Sequence, residues 1–143
     1  MNRLSLTEET VMVAPPLAGK NLGSTDSSFV IAEWSDEGGT FDSPHLIAPP
    51  HLHHKDDEAW YVLEGALCVR RGDEVIDLHA GAGVLVPRGT VHTYWNPGPG
   101  PVRYLLCMTP RILRLINGLH AMKDRNPKAL AALFEQNDAT LIG

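Results

Sequence analysis

Three histidines and one glutamate have the residue types and spacing of a metal-binding set. His51 and His53 are two residues apart in the segment PPHLHH, so in an extended chain both imidazoles point to the same face. Glu58 follows five residues after the second of these histidines, and His92 comes just after a turn signal at 87–89. If the strands that carry them form a barrel, all four side chains can converge inside it.

This donor set favours one divalent transition metal. Neutral imidazoles with a carboxylate suit Fe, Mn, Ni, Co, Cu or Zn, whereas calcium and magnesium prefer shells of oxygen alone. Four protein ligands leave open positions if the ion takes five or six partners, as a catalytic centre requires. Two alternatives stay open: the histidines are exposed or hydrogen-bonded, or Glu58 hydrogen-bonds a ligand histidine instead of binding the metal.

The segments that must position these residues are typical of short strands joined by tight turns. Thirteen glycines and eleven prolines lie between short apolar runs, and Gly72-Asp73 is a hairpin signal. Strands so closely spaced, with no helix between them, predict an antiparallel sandwich or barrel. The predicted strands are 28–35, 51–54, 58–63, 66–71, 74–78, 83–86, 92–96 and 102–108.

The pattern changes after Thr109. Apolar residues then recur at three- and four-residue steps, as on one face of a helix, and Asn126-Pro127 is typical of an N-cap followed by a second helix to about 136. We expect these helices to pack outside the barrel or against a partner subunit. The chain is predicted to be one domain, residues 1–143, with the barrel at about 28–108 and the helical extension at about 110–137.

The two histidine segments resemble the two motifs of the cupin superfamily. Nine positions of this sequence match them in register, and only His45 departs, where the first motif begins with a glycine. That position belongs to a turn, so the departure leaves the four candidate ligands untouched. The matching residues are His51, His53, Glu58 and Gly65 in the first motif, and Gly81, Pro87, Gly89, His92 and Asn96 in the second.

The resemblance implies an all-β double-stranded β-helix, or jelly-roll, barrel with two short C-terminal helices. It also implies that His51, His53, Glu58 and His92 are the metal ligands by position. The helix followed by NPKALAALFEQND is similar to small single-domain cupins of the quercetin-dioxygenase-like type. That likeness implies an oxygenase whose substrate carries an enol, catechol or flavonol oxygen, with Glu58 as the catalytic base.

Other residues near the motifs have open roles. His54 should face away from His53 and lie at the surface, while the placement of His45 is undecided. The charged turn Lys55, Asp56 and Asp57 is predicted to be solvated. Asn96 is expected to stabilise a turn, and His79 and His120 to be solvated. Core packing and lining of a substrate pocket explain one further group equally well: Trp60, Val62, Tyr94, Tyr104 and Leu106.

Composition and charge limit the kinds of partner that are expected. The net charge is −5 and no basic run is present, so nucleic acid and anionic membranes are not expected partners. No apolar stretch approaches a bilayer-spanning length and no secretory signal is visible, so a cytoplasmic location is predicted. Cys68 and Cys107 are expected to be buried thiols. An exposed outer strand and apolar helix faces predict a homodimer.

The function expected from these features is a metal-dependent dioxygenase-like enzyme acting on a small enolisable or aromatic molecule. One alternative is a cupin isomerase or decarboxylase, which uses the metal but not oxygen. The sequence shows no basic pocket for a sugar phosphate, which makes this alternative less favoured. Another is a protein that binds a small molecule or metal without turnover, because fold alone does not fix function.

Overall fold

The computed structural model describes residues 12–14 and 21–142, which include ten strands and two helices. The first five strands are β1 (Asn21–Leu22), β2 (Val30–Asp36), β3 (Leu46–His53), β4 (Glu58–Glu64) and β5 (Ala66–Arg71). The other five are β6 (Glu74–His79), β7 (Gly83–Val86), β8 (His92–Trp95), β9 (Val102–Met108) and β10 (Ala139–Leu141). The helices are α1 (Pro110–Ala121) and α2 (Pro127–Gln136).

The strands form two five-stranded antiparallel sheets, ordered β1-β2-β9-β4-β7 and β10-β3-β8-β5-β6. Side chains alternate between the two faces of each strand, and β9 shows this most clearly, with every second residue buried. The inward residues of both sheets share one apolar core, which includes Trp60, Val62, Leu67 and Tyr104. The predicted mostly-β double-stranded β-helix fold is confirmed.

Strand β3 begins earlier than the sequence analysis expected. It starts at Leu46 rather than at residue 51, and its pairing with β8 shifts register twice, once between Leu46 and Ala48 and again before His51. The shifts accommodate Pro49 and Pro50, because a proline has no N–H to donate to a ladder and is tolerated at bulges. The irregular ladder explains why the pattern of alternation was not visible in the sequence.

Two short strands were not predicted. Strand β1 pairs with β2, and β10 pairs with β3, so each extends one sheet by an outer strand. Strands of two and three residues carry too little alternation to be recognised in a sequence. Strand β10 matters for the site, because Ala139 lies opposite His53 and Leu141 lies opposite His51.

Both helices begin as the sequence indicated. The Thr109 side chain accepts a hydrogen bond from the Ile112 N–H at the start of α1, and the Asn126 side chain accepts one from the Ala129 N–H at the start of α2. A proline follows each cap at the first helical position. Neither of these helices has both the length and the apolar character that crossing a bilayer requires.

Three smaller predictions concern a hairpin, the cysteines and Asn96. The β5–β6 hairpin turns at Gly72 as predicted, and its φ of 59° favours glycine. Both cysteines are free thiols and Cys68 is buried as predicted, but Cys107 is only half-buried because it lies on the outward face of β9. Asn96 stabilises a turn: its Oδ1 accepts from the Gly98 N–H at 2.8 Å and its Nδ2 donates to the Gly100 carbonyl at 2.9 Å.

Candidate metal centre

The barrel brings the four predicted ligand residues together. His51 and His53 end β3, Glu58 begins β4 and His92 begins β8, so three strands deliver them to one end of the barrel. One donor atom from each of the four side chains lies within 4.8 Å of the other three. All four residues are buried, with at most 6% of their surface exposed. Such a cluster is able to bind a metal ion.

Backbone carbonyl groups orient two of the histidines. The Nδ1 of His51 donates to the Pro49 carbonyl at 2.6 Å, and the Nδ1 of His92 donates to the Thr90 carbonyl at 3.0 Å. Because a carbonyl oxygen only accepts, each Nδ1 must carry the hydrogen, so in a neutral ring the lone pair is on Nε2. The Nε2 of His92 lies 3.0 Å from Glu58 Oε1, within the cluster. This is the arrangement by which a protein fixes the tautomer of a metal-binding histidine.

His53 provides the clearest indication of a missing partner. Its two ring nitrogens are buried, and neither has a hydrogen-bond partner among the described residues. Its Nε2 lies 3.4 Å from Glu58 Oε1, but the contact is not aligned as a hydrogen bond. A buried polar atom without a partner is unfavourable, so a cation between the imidazoles and the carboxylate would relieve this arrangement. The residues present therefore fit a divalent metal.

The charge states of the cluster suit the same role. Burial, together with the proximity of His92, lowers the pKa of His51 to about 4, so its ring is neutral at physiological pH. Burial alone would raise the pKa of Glu58, but its contacts with His53 and His92 outweigh that effect and lower the pKa to about 2. The cluster thus offers an ionised carboxylate beside a neutral imidazole.

A small cavity of about 50 Å³ adjoins the cluster. Its far wall comes from the helices, with Ile112, Leu115 and Ile116 on α1 and Phe134 on α2. The Phe134 ring is centred 5.3 Å from the ring of His51. The helices therefore lie over the open end of this chain's own barrel, beside the cluster, rather than on the outer surface of the sheets.

The cavity wall is apolar apart from the cluster. Among the residues that the structure describes, none of those lining it is lysine or arginine. Tyr94 and Leu106 line it, whereas Trp60 and Val62 pack in the barrel core without reaching it. The sequence explained these residues equally well as core or as pocket lining, and the structure shows that some of them belong to each.

The loop between His53 and Glu58 corrects one prediction. Asp56 is not solvated: only 7% of its surface is exposed, and its carboxylate lies 3.4 Å from Arg111 Nη1 at the start of α1. The neighbouring Asp57 is more exposed, as predicted, and pairs with Arg88. A single charged turn therefore has one acid facing the helix and one facing solvent.

The remaining histidines lie outside the cluster. His54 is exposed, as predicted, and its Nε2 is 2.7 Å from Thr140 Oγ1 on β10. His45 is exposed and stacks on Phe41. His79 and His120 are also exposed, and the ring of His120 packs against Trp34.

Sequence reasoning missed the contribution of the helices to the site. The apolar period of α1 was visible, but an apolar helix face does not tell which surface covers it. The ion pair of Asp56 and Arg111 joins residues 55 positions apart, and neither residue has a local signal of its partner.

A comparison with protein families agrees with the geometry. The model of the cupin domain matches residues 40–108, a range that contains all four clustered residues and strands β3 to β9. Residues 40–108 of this chain therefore form a cupin domain. The Gly65 and Gly89 of its motifs have φ values of 79° and 80°, so both positions need the conformational freedom of glycine.

Similar proteins support this cupin assignment. A sugar phosphate isomerase from a cupin superfamily, from Silicibacter pomeroyi, superposes with a TM-score of 0.50 at 25% identity, covering 58% of this cupin and 51% of that chain. An uncharacterized protein with a double-stranded β-helix domain from Klebsiella pneumoniae shares the fold, with a TM-score of 0.53, 24% identity and coverage of 73% and 90% of the respective chains.

The sequence matches among curated proteins are partial. The mannose-1-phosphate guanylyltransferase of Salmonella muenchen is 33% identical over 60 residues, which cover 42% of this cupin and 12% of that protein. This cupin therefore corresponds to only a small part of that curated relative.

Proposed function

We propose that His51, His53, Glu58 and His92 hold one divalent transition metal in a metal-dependent enzyme that acts on a small organic molecule. The observation that carries this proposal is the convergence of the four donors, buried and within 4.8 Å of one another, where His53 has no hydrogen-bond partner among the residues that the structure describes. A cavity beside the cluster gives a substrate a place next to the ion.

A dioxygenase-like reaction on a neutral, enolisable or aromatic substrate is our first candidate. The apolar cavity wall supports it, because such a substrate needs no cationic partner. A bound divalent metal supplies Lewis acidity, which makes an enol or phenol hydroxyl more acidic. The cavity of about 50 Å³ is too small for a molecule of flavonol size, so we propose a smaller substrate.

We propose Glu58 as the catalytic base. Its carboxylate faces the cluster and is ionised at neutral pH, so it is able to accept a proton from a substrate hydroxyl within hydrogen-bond reach. A pKa of about 2 makes it a weak base, which restricts its donors to hydroxyl groups that are already acidic, such as an enol beside a cation.

A non-oxidative isomerase is the second candidate. The likeness to a sugar phosphate isomerase favours it. Against a phosphorylated substrate stands the cavity wall, where the described residues include no lysine or arginine to bind a phosphate group. A binding protein without turnover is the third, because a cupin barrel can hold a ligand without acting on it.

Elemental analysis tests the metal site. Protein purified without added metal and without a chelating column should contain about one transition-metal ion per chain. The His51→Ala variant should lose nearly all of it, because three donors do not hold the ion as tightly as four. The matched control is His79→Ala, which removes an exposed histidine and should keep the metal. Equal metal content in both variants would refute the site.

Oxygen consumption separates the candidate reactions. The metal-loaded protein should consume oxygen with a catechol or with a cyclic 1,3-diketone, and Glu58→Gln should abolish the consumption. Glu58→Gln also removes a proposed ligand, so its metal content is measured alongside and restored by added metal before the assay. Turnover that persists without oxygen would favour the isomerase, and ligand retention without any product would favour the binding protein. The homodimer and the cytoplasmic location stay predictions.

A further inference from the structure

A second cavity lies directly behind the first. Its volume is about 140 Å³, and it shares several wall residues with the cavity at the cluster. The shared wall residues are Ala48, Tyr94, Leu106, Ile116 and Leu119. The two cavities are therefore neighbours between the barrel and α1, and these five residues belong to the walls of both.

The second cavity has a different wall. Trp34, Ile47, Tyr104 and His120 line it but do not line the first. Among the described residues its wall includes no lysine, arginine, aspartate or glutamate, whereas the wall of the first cavity includes Glu58. This second chamber is aromatic and uncharged, apart from the exposed histidine at its edge.

Two tyrosine hydroxyl groups give the second chamber a polar point. Tyr104 OH donates to Tyr94 OH at 3.5 Å, and both residues are buried. Burial raises the pKa of Tyr104 to about 12 and also raises the pKa of Tyr94 well above its ordinary value, so both hydroxyl groups stay protonated at physiological pH. A contact of 3.5 Å is long for an O–H···O bond, so a ligand oxygen is able to compete for these donors.

The dimensions limit what can enter. A cavity of about 150 Å³ holds one benzene ring in a protein interior. The second chamber is of that size, and the first adds room for a few atoms beside the cluster. An anion in the second chamber would find hydroxyl donors but no lysine or arginine among the described wall residues, so its buried charge would be uncompensated, which is unfavourable.

We propose that the two cavities form one bipartite binding site for a neutral molecule of a single ring, with the ring in the second chamber, a polar substituent at the Tyr94–Tyr104 pair, and its reacting end in the first chamber. Only the assignment of a reacting end to the first chamber rests on the proposed function. Trp34, Ile47 and Tyr104 would then determine specificity without touching the metal.

Binding of model compounds tests the site without requiring activity. Phenol, benzoate and 2-naphthol are titrated into the full chain by calorimetry, both as purified and after removal of metal with a chelator. We expect phenol to bind in both states and 2-naphthol to bind about tenfold more weakly because it exceeds the chamber. In the metal-free protein, where no cation can pair with a carboxylate, benzoate should bind at least about 100-fold more weakly than phenol. Benzoate binding as tightly as phenol to the metal-free protein would overturn the proposal.

Variants of the second chamber locate the bound ring. Ile47→Trp fills the chamber and should weaken phenol binding by about tenfold or more, while Ile31→Trp, a half-buried isoleucine on β2 that lines neither cavity, should leave it unchanged. Tyr104→Phe keeps the shape, removes one donor and should weaken binding by about three- to tenfold. If Ile47→Trp does not fold, the Tyr104→Phe result decides: unchanged phenol affinity would refute the site.

The same measurements separate this proposal from the enzyme proposal. Phenol binding that depends on Ile47 and Tyr104 in a protein that retains no metal would support the chamber and refute the proposed function. Conversely, a protein that retains metal and consumes oxygen, but whose phenol affinity neither variant changes, would support the proposed function and refute the second chamber as a binding site.

Discussion

The cavity beside the cluster has two ends, which differ in the kind of residue that forms them. At the donor end, four polar side chains from three strands meet in a small volume, and backbone carbonyl groups orient two of them, His51 and His92. At the cap end, which we define as residues 110–142, apolar side chains of two helices cover the opening and β10 anchors them to β3. Few residues specify the chemistry, whereas many apolar contacts decide what reaches it.

This difference predicts that damage to the cap lowers stability but spares the donors. Phe134 is 1% exposed and packs against His51, Leu115 and Ala139, so Phe134→Ala should lower the free energy of unfolding by about 3–5 kcal/mol. Metal content should stay close to one ion per chain. Chemical denaturation and elemental analysis of the same sample measure both quantities.

The control for this variant is another phenylalanine. Phe29 is 65% exposed, and Phe29→Ala should change the stability by less than about 1 kcal/mol. If Phe134→Ala lost its metal at a temperature where it is still folded, the two ends of the cavity would not be separable.

Acid should affect the donor end selectively. The pKa of His51 is about 4 in the folded protein against an ordinary value of 6.5, so the unfolded chain takes up its proton first as the pH falls. In the metal-free protein the contribution of neutral His51 to the free energy of unfolding should be fully present above pH 6.5. That free energy should fall by up to about 3 kcal/mol toward pH 4. Glu58, with its pKa lowered from 4.5 to about 2, adds a further loss below pH 4.5.

Denaturation of wild type and His51→Gln at several pH values measures this effect. The variant should show a shallower decline between pH 6.5 and pH 4, because the group that causes it has been removed. Parallel curves would show that other groups dominate the acid response.

The smallest effect concerns the contact between the two ends. Arg111 on α1 pairs with the buried Asp56 of the donor loop and with Asp138, which precedes β10. Arg111→Met leaves the Asp56 carboxylate without its cation and should lower stability by about 1–2 kcal/mol. Arg88→Met breaks the neighbouring pair with the more exposed Asp57 and should cause no measurable change. Thermal unfolding distinguishes the two, and equal shifts would contradict the assigned roles.

The donor end could be predicted from the sequence and the cap end could not. The two-residue spacing of His51 and His53 follows from strand geometry, and Glu58, His92 and the glycines complete a motif specific enough to indicate the barrel. The helix boundaries were also predictable, because Thr109 and Asn126 cap them locally.

The sequence did not indicate which part of the molecule each apolar surface packs against. The apolar face of α1 is equally compatible with the outer barrel, a second subunit or the open end, because burial of apolar area has no direction. The same applies to Asp56, whose burial depends on an arginine 55 residues away. Strand β10 was missed because three residues carry no usable period.

The two register shifts in β3 have a consequence for changes in chain length. Upstream of His51 the ladder already contains irregular residues around Pro49 and Pro50, so an inserted or deleted residue at 44–50 can be absorbed there. Downstream, His51 is opposite both His92 and Leu141, and His53 is opposite Ala139. A deletion of Leu52 would turn one imidazole away from its companions, so lengths can vary freely on one side of this histidine pair and not within it.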